Sequence, residues 1–97
     1  MNIIVRDLNF NAEQHLLDYA KKKAEKIYNL YEGIVGIEVN MRLENNSEEA
    51  NKTSEIIVKV PGNDLFAKKT SASFEEATDS CTEAIRKQVT KHKEKVR

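Results

Sequence analysis

The sequence has few of the residues that cross-link or interrupt a chain. Its 97 residues include one cysteine, one proline, three glycines and no tryptophan. Because Cys81 is alone, no disulfide forms within the chain, which is typical of a reducing compartment. No apolar run approaches the ~20 residues that a membrane-spanning helix needs, and the N-terminus lacks a signal-peptide pattern. These absences predict a cytoplasmic protein without a membrane partner.

The length and the hydrophobic periodicity predict one domain that spans residues 1–97. The predicted elements follow the order β-α-β-β-β-α, which indicates an α+β fold. We expect a four-stranded sheet with two amphipathic helices packed on one face. The last three strands should form an antiparallel meander, with the first strand alongside it.

The first strand is predicted over residues 2–5 and the first helix over residues 12–31. In the helix, apolar residues recur at steps of three and four, as on the buried stripe of a helix. The stripe consists of Leu16, Ala20, Ala24, Ile27 and Tyr31. We expect Asn11 to cap this helix, with Gln14 in the capping-box position.

The middle of the sequence has the pattern of strands. Apolar and polar residues alternate strictly over residues 36–44, which predicts a half-buried strand. A polar segment, residues 44–52, is expected to be a mobile loop. Further strands are predicted over residues 53–61 and 65–72, and the segment Pro61-Gly62-Asn63-Asp64 between them predicts a turn.

A capping box predicts where the second helix begins. Ser73 is expected to be the N-cap, and Glu76 follows three residues later. The apolar stripe of this helix consists of Phe74, Ala77, Cys81, Ile85, Val89, His92 and Val96. His92 and Cys81 are therefore expected to pack in the core, the latter as an inert thiol.

The formal net charge is zero, but the charges are unevenly distributed. Residues 44–83 contain four basic and nine acidic residues, whereas residues 84–97 contain six basic residues and one acidic residue. Charge separated in this way produces a local field that the net charge conceals.

Eight cations lie away from the centres of the two predicted buried stripes. They are Lys22, Lys23, Lys26, Arg86, Lys87, Lys91, Lys93 and Lys95. On the second helix, Lys87, Lys91 and Lys95 form one row, and the other two lie on the opposite flank. If the helices lie side by side, one row from each merges into a basic surface suited to phosphates. Since the acidic residues sit elsewhere in the sequence, we expect no local neutralisation of this surface.

The same cations are compatible with several different roles. Cations near a helix C-terminus stabilise the helix by roughly 0.3–1 kcal/mol each, and surface lysines favour solubility. Against this, closely spaced cations repel one another, and only Glu94 relieves the repulsion in the last turns. A basic helix can bind structured RNA in general, and a basic helix or sheet edge can also bind an acidic protein.

The sequence contains no pattern typical of an enzyme. It has no nucleophile–base pair, no glycine-rich phosphate loop and no paired carboxylates, so we expect no catalysis, cofactor or small-molecule substrate. His15 has no cysteine or acidic partner at metal-ligand spacing, so no metal site is expected. Tyr19 has the position of an exposed helix tyrosine, which can stack on a base but usually has no specific role.

The α-β-β-β-α part of the predicted order resembles the core of the double-stranded-RNA-binding fold. That fold places lysines at the N-terminus of its last helix. Here the corresponding positions hold Glu75, Glu76 and Asp79, which argues against ordinary recognition of RNA duplexes.

The basic C-terminal segment, residues 87–95, has the sequence KQVTKHKEK. It resembles the end of the last helix in the ribosome hibernation promoting factors, relatives of ribosome-associated inhibitor A. A weaker match is the Lys23-x-x-Lys26-Ile27 pattern on the first helix. The sequence departs from the family at Ala72-Ser73-Phe74, which keeps only the aromatic residue of the usual acidic-Met-aromatic pattern. Because it ends at Arg97 without an acidic or extended tail, it resembles the short form.

The resemblance implies a non-enzymatic protein that binds the small ribosomal subunit in the channel used by mRNA and by the A- and P-site tRNAs. It implies contacts to 16S ribosomal RNA, inhibition of translation and protection of idle ribosomes. The eight cations are the implied RNA contacts, with Lys23, Lys26, Lys87, Lys91 and Lys95 foremost. We expect the free protein to be a monomer.

Overall fold

The computed structural model of the chain describes residues 2–45 and 49–96. Its elements in chain order are β1 (Ile3–Asp7), α1 (Gln14–Tyr28), β2 (Gly36–Leu43), β3 (Lys52–Val60), β4 (Asn63–Ser71) and α2 (Phe74–Lys95). The predicted β-α-β-β-β-α order and the α+β class are confirmed. Neither described helix is both long and apolar enough to cross a membrane.

The four strands form one sheet in the order β1-β2-β3-β4. The last three are antiparallel, as the predicted meander requires, and β1 pairs with β2 in parallel because α1 connects the two strands. The register places Val39 opposite Val5 on one side and Ile56 on the other, and Ile56 faces Ala67 on β4. Apolar residues thus form continuous rows across one face of the sheet.

Both helices cover this apolar face of the sheet. The sheet contributes Ile37, Val39, Met41, Ile56, Val58, Leu65 and Ala67 to the core. The α1 stripe is confirmed at Leu16, Ala20, Ala24 and Ile27, all buried. Because the alanines are small, the helix axis can lie close to the sheet. Full burial of an isoleucine such as Ile56 contributes roughly 1.5–3 kcal/mol.

The opposite face of the sheet is uncovered in the described structure and carries charged side chains. Arg42 Nη1 lies 2.9 Å from Glu55 Oε1, and Lys59 Nζ lies 3.5 Å from Glu38 Oε1. Lys68 is opposite Glu55 in the β3–β4 register. The alternation of apolar and polar residues along the strands therefore separates a core face from a solvated face.

The predicted cap of α1 is wrong. The helix begins at Gln14 with Glu13 as its N-cap, and no side chain caps its backbone. Asn11 lies in the preceding connection, where the backbone N–H of Ala12 donates to Asp7 Oδ2 at 2.8 Å. That bond ties the connection back to β1, so the helix begins later than the local sequence predicts. The helix also ends earlier, at Tyr28, three residues before the predicted end.

The predicted cap of α2 is confirmed. Ser73 Oγ accepts a hydrogen bond from the backbone N–H of Glu76 at 3.1 Å. His92 is half-buried and packs edge-on against Tyr31, which lies beyond the end of α1, with ring centroids 5.7 Å apart. Val96 is 55% exposed, so the buried stripe ends before it.

The strand boundaries follow the pairing. β1 extends to Asp7 because its last residues pair with β2. Between β3 and β4 the turn consists of Pro61 and Gly62, and Gly62 has φ +80°, the conformation that favours glycine in a type II turn. The predicted loop over residues 44–52 includes residues 46–48, which lie outside the described residues.

Candidate nucleic-acid interface

The two helices lie side by side and are joined by a polar contact. Tyr19 donates its hydroxyl to Asp79 Oδ1 at 2.6 Å, and Lys23 Nζ lies 3.1 Å from the same oxygen. Tyr19 and Lys23 are four residues apart, so they share the face of α1 that meets α2. Asp79 therefore fixes the middle of α1 against the N-terminal half of α2.

The titration behaviour of this cluster follows from its hydrogen bonds. The hydrogen bond from Tyr19, assisted by Lys23, lowers the pKa of Asp79. The bond to Asp79 raises the pKa of Lys23 and also that of Tyr19. Lys23 also lies over the Tyr19 ring, 5.3 Å from its centroid. At neutral pH the cluster thus consists of a neutral phenol, an ammonium group and a carboxylate.

A groove of about 360 Å³ runs between the helices beside this cluster. Its lining consists of Lys23, Lys26, Ile27, Leu30, Asp79, Thr82, Glu83 and Arg86. Three of the eight predicted cations therefore meet in one place, one turn apart on α1 and across from Arg86 on α2. We call this cavity the interhelical groove.

The outer surface of α2 continues from the groove. Arg86 also lines a shallow depression with Lys87, Lys91, Thr90 and Glu94. Arg86 is thus the junction between the groove and the outer lysines. Together they form a basic surface that spans both helices.

The row of Lys87, Lys91 and Lys95 drifts away from α1. Gln88, next to Lys87, donates its Nε2–H to the Phe66 carbonyl at 2.7 Å and accepts from the Phe66 backbone N–H at 3.3 Å. This contact shows that one flank of α2 faces the β4 edge. At 100° per residue, Lys91 and Lys95 turn progressively toward that flank.

The two remaining predicted cations, Lys22 and Lys93, are exposed at the ends of the basic surface. Lys93 lines a second cavity, of about 440 Å³, with Tyr31 and Val96 near the C-terminal ends of the helices. Lys22 is exposed on α1. Of the eight cations, only Lys23 is half-buried, with 27% of its side chain accessible.

The expectation that nearby acids do not neutralise the surface is wrong for two cations. Lys23 pairs with Asp79, and Arg86 Nη1 lies 3.1 Å from Glu83 Oε1. The first pair forms because the fold brings α1 beside the acidic start of α2, and the second joins residues one helical turn apart. The other six form no ion pair with a described residue.

Sequence reasoning missed the roles of Tyr19 and Asp79. They are 60 residues apart, and no local spacing connects them. In the sequence, Asp79 is one of several acidic residues near the start of a helix, and nothing in the neighbouring residues indicates that it contacts Tyr19. The one available signal is the position of Tyr19 beside lysines on an outward flank of its helix.

The remaining reactive groups in the described residues are inert or scattered. Cys81 donates its thiol to the Ala67 carbonyl at 3.2 Å, and burial raises its pKa to about 11. The thiol is therefore protonated at neutral pH, as expected of a core cysteine. Within the described ranges, no group of three or more His, Cys, Asp or Glu side chains is placed to hold a metal ion.

Residues 3–97 match the sequence model of the sigma 54 modulation protein / S30EA ribosomal protein family. The chain belongs to this family. The membership confirms the resemblance seen in the C-terminal helix. No curated protein sequence matches the chain.

Two solved structures resemble the fold of this S30EA-family chain. A ribosomal subunit interface protein from Coxiella burnetii has a TM-score of 0.82 and 20% identity, over 96% of this chain and 98% of that one. The N-terminal domain of Thermus thermophilus Protein Y has a TM-score of 0.76 and 21% identity, over 95% and 99%. At these identities the likenesses show the fold.

Proposed function

We propose that this chain is a non-enzymatic ribosome hibernation factor. In this proposal it binds the small ribosomal subunit in the mRNA and tRNA channel, contacts 16S ribosomal RNA and blocks translation. Membership of the S30EA family supports a ribosomal partner, which would place the protein in the cytoplasm. The observation that carries the proposal is the basic surface that spans both helices through Arg86.

The shape and charge of the molecule suit a channel lined by phosphates. It measures 45 × 23 × 18 Å, so its narrow dimension is close to that of two layers of secondary structure. Folded RNA is recognised largely through its shape and backbone. If about five phosphates are neutralised, a fourfold rise in salt weakens binding by roughly a hundredfold or more.

The proposed contacts are the eight cations identified from the sequence. Those without an ion pair to a described residue are available to phosphates without the loss of such a pair. Lys23 and Arg86 differ, because each must share its charge with a carboxylate. We therefore expect these two to contribute less per residue than Lys87 and Lys91.

Co-sedimentation across a salt series tests the proposal. The purified protein is mixed separately with small subunits, whole ribosomes and a plain RNA duplex. We expect saturable one-to-one binding to the small subunit with a steep salt dependence, and weak binding to the duplex. Equal binding to the duplex would reduce the proposal to general binding of structured RNA. Absence of binding to all three would refute it in favour of a protein partner.

Sedimentation velocity of the free protein tests the expected monomeric state in the same buffer. A monomer would bind the subunit through one copy of the basic surface. A stable dimer of the free protein would contradict the one-to-one stoichiometry.

A further inference from the structure

The interhelical groove contains charges of both signs. Its cations are Lys23, Lys26 and Arg86, and its carboxylates are Asp79 and Glu83. A site for phosphate alone would be weakened by two carboxylates, because like charges repel the ligand. The lining therefore indicates a ligand that combines an anion with hydrogen-bond donors.

The two carboxylates present acceptor oxygens on the α2 wall of the groove. Asp79 and Glu83 are four residues apart and share one face of the helix. The contacts of Asp79 with Tyr19 and Lys23 both fall on Oδ1, and Glu83 uses Oε1 for Arg86. The second oxygen of each carboxylate has no partner among the described residues.

The rest of the groove contains apolar side chains and a cation that forms no ion pair with a described residue. Ile27 is buried at 1% exposure, and Leu30 is half-buried beside it. Thr82 also lines the groove, and because it donates its hydroxyl to the Thr78 carbonyl at 2.7 Å, its oxygen is left as an acceptor. Lys26, on the α1 wall, forms no ion pair with any described residue.

We propose that the interhelical groove binds a single unpaired guanine nucleotide of the RNA. The base lies on the accessible part of Leu30, its N–H groups face the carboxylate of Glu83, and its phosphate is held at Lys26. This inference rests on the proposed function, which supplies the RNA.

Guanine fits because of the donors on its Watson–Crick edge. Its N1–H and N2–H₂ groups are adjacent and parallel, so together they donate to the two oxygens of Glu83, whose Oε1 keeps a second lone pair beside its contact with Arg86. Adenine and cytosine offer an amino group beside an acceptor nitrogen, and uracil has no amino group. Unpaired RNA bases are recognised through these edges and through contacts to their faces.

Amide chemical-shift titration of the full chain tests the inference. The probes are GMP, CMP, AMP, UMP and inorganic phosphate, each added separately. We expect saturable shifts at the residues that line the groove, with GMP binding roughly tenfold tighter than UMP, as for a good bidentate contact. Phosphate alone should produce only weak, non-saturating shifts.

Two matched variants test whether the preference for GMP over UMP arises in the interhelical groove. Glu83→Gln removes one carboxylate charge from the groove and should abolish most of the preference for GMP over UMP. Glu94→Gln changes an exposed carboxylate of the same helix outside the groove and should leave the preference intact. Identical loss in both variants would overturn the inference.

The outcomes also separate the inference from the proposed function. Equal affinities for GMP and UMP, equal shifts with phosphate, or no saturable shift in the groove would each overturn the nucleotide site. If the unmodified chain still bound small subunits in co-sedimentation, the proposed function would stand without it. If subunit binding were also absent, both would fall.

Discussion

Replacement of Asp79 by alanine should loosen the contact between the helices. The substitution removes the acceptor of the Tyr19 hydroxyl at 2.6 Å and the partner of Lys23 at 3.1 Å. A hydrogen bond to a charged group contributes about 1.5–3 kcal/mol, and an exposed ion pair adds about 0.2–1 kcal/mol. Because half of the Asp79 side chain is exposed, the lower ends apply. Alanine also favours the helix by a few tenths of a kcal/mol.

The expected net loss is therefore about 1.5 kcal/mol of unfolding free energy. For a chain of this size that lowers Tm by roughly 6–12 °C. Urea denaturation of Asp79→Ala at neutral pH measures it. Ser80→Ala, at the adjacent exposed position of the same helix, is the matched control for helix propensity.

The pH dependence of this loss has a definite sign. The pKa of Asp79 is lower in the folded chain than its ordinary value of 3.8. Its contribution is therefore complete above the unfolded pKa and disappears as the pH falls through the folded pKa. The difference between Asp79→Ala and the unmodified chain should shrink in acid. A difference that persists unchanged in acid, or that is absent at neutral pH, would refute the reasoning.

Three further substitutions test the capping, the core and the sheet edge. Ser73→Ala removes the bond to the Glu76 N–H and should cost about 1 kcal/mol in urea denaturation; no loss would contradict the capping box. Ile85→Ala leaves a cavity at a fully buried position and should cost about 2–5 kcal/mol in the same assay. A loss below about 1 kcal/mol, on the order of a surface change, would contradict that burial. Gln88→Ala exposes the backbone of Phe66 on the β4 edge and should increase self-association in sedimentation velocity. An unchanged monomer would show that Gln88 does not protect the edge.

The sequence predicted the elements where local chemistry determines them. The alternation of residues 36–44 determines which face of the strand is apolar. The capping box determines the start of α2, because Ser73 Oγ accepts a hydrogen bond from the backbone N–H of Glu76, three residues later. Asn11 failed as a cap because Asp7 holds the backbone of Ala12. Such a contact between successive elements has no periodicity to reveal it.

The candidate site also combines features that the local sequence predicts with features that arise only in the folded chain. Helical geometry alone indicated which cations lie away from the buried stripes. The contact of Asp79 with Tyr19 and Lys23 depends on how the helices meet, which requires the sheet beneath them. The interhelical groove, with carboxylates among its cations, was therefore beyond what the separate helices predict.

The most direct test of the account is charge reversal on the basic surface. Lys87→Glu with Lys91→Glu changes two cations of α2, and Lys59→Glu with Lys68→Glu makes the same charge change on the uncovered face of the sheet. Affinity for purified small subunits is measured for both at one salt concentration, after their unfolding midpoints confirm that they fold. The account predicts a loss of roughly a hundredfold for the α2 variant and little change for the sheet variant. Equal losses in the two variants, or unchanged binding of the α2 variant, would contradict it.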